Sequence, residues 1–71
     1  MPPSLIKQTR LKRGQTLLEV AQAVGSNAGH ISKIENNINK PSPELAEKLA
    51  KHFGYAITEI QILYPERFLD N

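Results

Sequence analysis

The chain contains no cysteine. Disulfide staples, thiol catalysis and cysteine-based zinc fingers are therefore excluded. Nor does any apolar stretch reach signal-peptide or membrane-spanning length, and the chain opens on Met1, Pro2, Pro3 and Ser4 rather than on an apolar run. This points to a soluble, cytoplasmic protein with no membrane partner. Strand signals are missing too: there is no sustained apolar–polar alternation, and no Asn-Gly or Asp-Gly pair joins two β-branched runs. What remains is 71 residues, 39% hydrophobic and 23% charged, a composition suited to one small globular domain. A chain of this size buries only about 60% of its unfolded surface. Its stability must come from well-packed helices and from oligomerisation.

The net charge is +2, but it is unevenly spread. Residues 1–40 hold Lys7, Arg10, Lys12, Arg13, Lys33 and Lys40 against Glu19 and Glu35, a net +4. Residues 41–71 hold Lys48, Lys51 and Arg67 against Glu44, Glu47, Glu59, Glu66 and Asp70, a net −2. A basic half joined to an acidic half suggests one face for an anion and another for something else.

Helix signals recur along the chain. Ser4 can cap a first helix running to about Arg13, with Gly14 as its C-terminal stop. Thr16-Leu-Leu-Glu19 reads as a capping box, in which hydroxyl and carboxylate reciprocally satisfy two backbone N–H groups. Val20, Ala21 and Val24 follow as a helical stripe that Gly25 ends. Asn27 can cap a third helix through Ile31 and Ile34 to Asn36 or Asn37. After a loop from Ile38 to Pro41, Ser42-Pro43-Glu44 opens a fourth helix with a capping serine, a proline at the first position and an acid at the positive dipole end. Leu45, Leu49 and Phe53 line its face, and Gly54 stops it. The spacing of Ile57, Ile60 and Leu63 predicts a short fifth helix over about 57–63. Its cap position would be Ala56, which cannot accept a hydrogen bond, and Pro65 would end it. The fold class implied is all-α, a compact five-helix domain.

Between the second and third helices, Gly25-Ser26-Asn27 is too short for an antiparallel hairpin. It fits the sharp turn of a helix-turn-helix, whose helices cross at about 90–120°, with the small Ala21 where they meet. Here the sequence resembles the Cro-type, lambda-repressor-like helix-turn-helix regulators (the xre-like group). The matching residues are Leu11-Lys-Arg-Gly14, Thr16, Glu19-Val-Ala21, Val24-Gly25, Ile31-Ser-Lys-Ile-Glu-Asn36, Pro41-Ser42, Leu45, Leu49-Ala-Lys51, Phe53-Gly54 and Ile60. They span roughly residues 5–63 of one domain. The resemblance implies a DNA-binding motif at about 17–36, with the third helix in the major groove.

With Ile31 and Ile34 buried, a step of about 100° per residue turns Ala28, Gly29, Ser32 and Lys33 outward as the base-facing set. Short side chains at Ala28 and Gly29 let the backbone approach base edges, Ala28 can meet a thymine methyl, and Lys33 can donate to guanine O6 and N7. Thr16, Asn27, Asn36, Asn39 and Lys40 are the expected phosphate contacts. The position of Leu17 is often Gln in the resembled family, so Thr16 and backbone N–H groups would take over its phosphate contact. In repressors of that family the positions of Arg10 and Glu35 form an ion pair between the first and third helices. Lys7, Lys12 and Arg13 read as a solvated basic face that steers toward DNA.

His30 and His52 lie on different helices with no third ligand at sensible spacing, so neither a metal nor any other cofactor is implied. His30 stands near enough to the third helix's start to reach DNA or simply to be exposed. Ser32 with His30 lacks the strained elbow of a nucleophile site, and no enzyme is implied. Ile62, Leu63, Tyr64, Phe68 and Leu69 exceed what a five-helix core needs. Residues 64–71 therefore read as a tail that either folds back or joins Ile62 and Leu63 in a C₂ dimer contact, which would put two recognition helices about 34 Å apart.

The expected function is a sequence-specific, homodimeric transcriptional regulator, a repressor on a pseudopalindromic operator in double-stranded DNA. The setting expected is the nucleoid of a prokaryote, with a phage, plasmid or mobile-element origin. The alternatives are an antitoxin holding a toxin protein on its tail, and a protein-interaction module of the same fold.

Overall fold

The computed structural model describes residues 4–64 and Arg67. Five helices follow one another: α1 (Leu5–Lys12), α2 (Leu17–Val24), α3 (Ala28–Glu35), α4 (Pro43–His52) and α5 (Glu59–Leu63), with no strand among the described residues. No helix among them is long and apolar enough to cross a membrane.

Each helix starts where a side-chain oxygen takes over an orphan N–H. Ser4 accepts from Lys7, Asn27 from His30 and Ser42 from Leu45. Thr16 closes a full capping box, its Oγ1 accepting from the Glu19 N–H at 3.0 Å while the Glu19 carboxylate accepts from the Thr16 N–H at 2.9 Å. The ends of α1 to α4 share one device, in which the chain turns left-handed and N–H groups just past the helix bond back to its last turn. Behind α3 this falls to Asn37, at φ +60°, so that the Ile38 N–H reaches the Lys33 carbonyl at 2.8 Å. Asparagine is the non-glycine residue that best tolerates this conformation.

The α5 expectation needs correcting. The helix begins at Glu59, capped by Thr58, and Thr58 and Gln61 form a second capping box. Ile57 lies before the helix, buried in the core. Ile60 is exposed, and Ile62 takes the inward place. Two residues of offset rotate the apolar stripe, because the local cap outweighed the Ile57–Ile60–Leu63 spacing.

Phe53, Ile31, Leu49 and Val20 are fully buried at the centre, with Ala21, Ala46 and Ala50 between them. The α2 helix packs on α3 and α4, and α5 on α4 and α1. Ala21, with no exposed surface, stands among the residues that let α2 meet its neighbours closely. The result is a bend at Gly25–Asn27 that leaves one side of α3 uncovered.

Candidate nucleic-acid interface

The apolar face of α3 is Ile31 and Ile34, both buried. Its remaining faces carry Gly29 and Lys33, which are exposed, and Ala28, His30 and Ser32, which are half-buried. None of the four base-facing candidates is buried. Gly29 leaves room for close approach, since a Cβ placed there would meet only Asn27 Oδ1, at an ordinary contact distance of 3.4 Å.

Glu35 is the one acid on α3, and it points inward. Arg10 of α1 meets it with two bonds, Nε to Oε2 at 2.7 Å and Nη2 to Oε1 at 3.1 Å. The third side of the guanidinium donates from Nη1 to the Gln15 carbonyl at 2.9 Å. The bond to Glu35 raises the Arg10 pKa above its ordinary value, so the guanidinium stays charged at any ordinary pH. The pair neutralises the carboxylate within the protein. The outward side of α3 is therefore left with the positive charge of Lys33 and no acid to oppose it.

The phosphate candidates all lie at helix ends or in the loop after α3, and several are already engaged. Asn27 Oδ1 accepts the His30 N–H at 2.8 Å, which leaves its amide N–H₂ as the donor side. Asn36 Nδ2 donates to the Ser32 carbonyl at 2.9 Å and approaches Ser32 Oγ at 3.5 Å. Thr16 brings the Glu19 carboxylate with it to the start of α2. Asn39 is exposed, its backbone N–H on the Lys33 carbonyl at 3.3 Å. Lys40 is exposed, but its Nζ lies 5.2 Å from the ring centre of Tyr64.

Arg13 is exposed on the expected basic face, and it is also engaged. Its Nη2 donates to the Phe53 carbonyl at 2.7 Å, and its guanidinium lies 5.7 Å from the Phe53 ring centre. It ties the end of α1 to the end of α4, where a cation also suits the negative end of the dipole. Nothing near Arg13 in sequence points to this bond. His52 is likewise engaged, with Nε2 3.3 Å from Gln15 Oε1 and its ring edge-on to Phe53. No cluster of three metal-ligating side chains exists among the described residues.

In the tail group, Ile62 is buried in its own core and cannot serve as a contact surface. Leu63 packs half-buried against the same core, and Tyr64 is 41% exposed. Phe68 and Leu69 lie outside the described residues. Ile38, 69% exposed beside α3, is an apolar residue that loop reading left without a role.

A capped helix, a tight glycine bend and a second capped helix with an open, acid-free face make a helix-turn-helix, and the helix-turn-helix family profile matches residues 6–60. The chain belongs to the helix-turn-helix family. No curated protein and no solved structure matches it. The family is one of DNA-binding regulators of the lambda-repressor-like type, and the matched span covers all of α2, the bend and α3.

Proposed function

We propose that this helix-turn-helix protein is a sequence-specific transcriptional regulator, a homodimeric repressor that lays α3 in the major groove of a pseudopalindromic operator. The observation that carries this reading is the open side of α3: short residues at its start, Lys33 exposed, and its single acid paired inside. Ala28, Gly29, Ser32 and Lys33 read the bases. Asn27, Asn36, Asn39, Lys40 and Thr16 hold the backbone, the donors of the three asparagines and of Lys40 facing phosphate oxygens.

For the dimer, α5 supplies the surface. Ile60 is 55% exposed and Leu63 is beside it on the same helix, an apolar edge that a two-fold contact would cover. Two copies would then present their α3 helices about one helical turn of DNA apart.

Selection of bound duplexes from a random pool tests the whole reading, because a symmetric consensus with half-sites one turn apart is the expected product. Recovery of no consensus would overturn sequence specificity, and an unsplit consensus would overturn the dimer. Lys33→Ala should relax preference at one base position, and Lys40→Ala should weaken all duplexes alike.

A further inference from the structure

Between α2 and α4 lies a groove of about 260 Å³, open to solvent, whose walls among the described residues are Ala23, Lys48, Lys51 and His52. One methyl, two ammonium groups and an imidazole face it. Among the described residues no acid and no part of α3 lines it.

Cations near the C-terminal end of a helix ordinarily serve its unpaired carbonyls. At the end of α4 those carbonyls have other partners. Leu49 accepts from the Phe53 N–H, Ala50 from the Tyr55 N–H and Lys51 from the Gly54 N–H. The Phe53 carbonyl accepts from the Ala56 N–H and from Arg13 Nη2. Nor do acids occupy the lysines. Glu44 and Glu47 stand four residues before Lys48 and Lys51, the spacing of a helical ion pair, yet neither lysine makes an ion pair among the described residues. Glu19, one turn before Ala23, has its carboxylate on the Thr16 N–H at 2.9 Å. His52 is fixed by Gln15, its Nε2 lying 3.3 Å from Oε1. Two exposed, unpaired ammonium side chains one turn apart thus border a hollow. Like charges on neighbouring turns destabilise a helix slightly, and an anion beside both relieves that cost.

We propose that the α2–α4 groove is a binding site for a small phosphate-bearing molecule. Lys48 and Lys51 donate to its phosphate oxygens, and the short Ala23 side chain leaves the room it occupies. Phosphate is the group this lining suits, because ammonium heads bind it as point charges and no guanidinium fork is present there to select a planar carboxylate. The ligand is a free molecule rather than the duplex, since neither α3 nor the loop after it contributes to the groove. The inference does not depend on the DNA reading above.

The test titrates the full chain with inorganic pyrophosphate at fixed ionic strength and follows its backbone amide signals by NMR. Saturable shifts centred on Ala23, Lys48, Lys51 and His52 are expected. Lys48→Gln and Lys51→Gln should each weaken the fitted affinity roughly three- to tenfold, the loss of one charge-assisted contact. Ala23→Leu, which keeps every charge and fills the hollow, should weaken it about tenfold or more. All three positions are exposed, so the melting temperature should move little.

Shifts as large at Lys7, Lys12 and Lys33 as at Lys48 and Lys51, or an affinity that Ala23→Leu leaves intact, would reveal a diffuse response to charge and overturn the proposal. Absence of saturation overturns it as well. If the double variant Lys48→Gln with Lys51→Gln then also lowers the magnitude of the log–log salt slope for duplex binding by about 0.9 per lysine, the phosphate met in the groove is the DNA backbone's.

Discussion

Arg10 and Glu35 are joined inside the protein by two bonds, and the Arg10 residue is 8% exposed and the Glu35 residue 5%. Through this pair α1 holds the end of α3. A buried pair contributes little over an apolar replacement, yet deleting one partner strands the other charge. Arg10→Met should therefore cost about 3–5 kcal/mol, enough to unfold much of a domain whose whole margin is of order 5–15 kcal/mol. The double variant Arg10→Met with Glu35→Leu should recover most of that loss. Urea unfolding of the three variants checks both outcomes. Because the Arg10 pKa is raised, its contribution is complete below its ordinary value and fades only at more alkaline pH.

Gly29 separates folding from binding. A methyl group there meets only Asn27 Oδ1 at 3.4 Å, and alanine is the better helix former by up to about 1 kcal/mol. Gly29→Ala should leave the melting temperature equal or higher. Duplex affinity should fall, because the added carbon stands on the side of α3 proposed to approach the bases. Equal affinity for a selected operator would show that close backbone approach at this position is not used.

Glu19 caps α2 but places a carboxylate beside Thr16, a proposed phosphate contact. Glu19→Gln keeps an acceptor for the Thr16 N–H and removes the charge. Non-specific duplex affinity should rise a few-fold at low salt, and the gain should shrink as salt screens it. A fall in affinity would mean that the α2 start makes no phosphate contact.

Tyr55 adopts φ +62° directly after Gly54 at +60°. A bulky residue in that region is strained, by roughly 1 kcal/mol or more. The residue is 60% exposed, so little packing is lost on removing its side chain. Tyr55→Gly should raise stability by up to about 1 kcal/mol in thermal or urea unfolding. A marked loss would show that the ring makes a contact worth more than the strain.

The amino-acid sequence alone determined the first four helices, the bend between α2 and α3, and the outward side of α3. Each depends on groups a few residues apart: Ser4, Thr16, Asn27 and Ser42 cap N–H groups three positions on, and Ile31 and Ile34 orient a helix by their spacing. Thr58-Glu-Ile-Gln61 carries the same local signature as Thr16–Glu19, and the competing apolar spacing obscured it. Only the tertiary structure decided that Arg13 bonds the Phe53 carbonyl, that Ile62 rather than Ile60 faces inward, and that Lys40 shares a ring with Arg67. Those partners lie far apart along the chain or depend on how a short helix is rotated against its neighbours. Their meeting is set by how the helices stack, which no local pattern encodes.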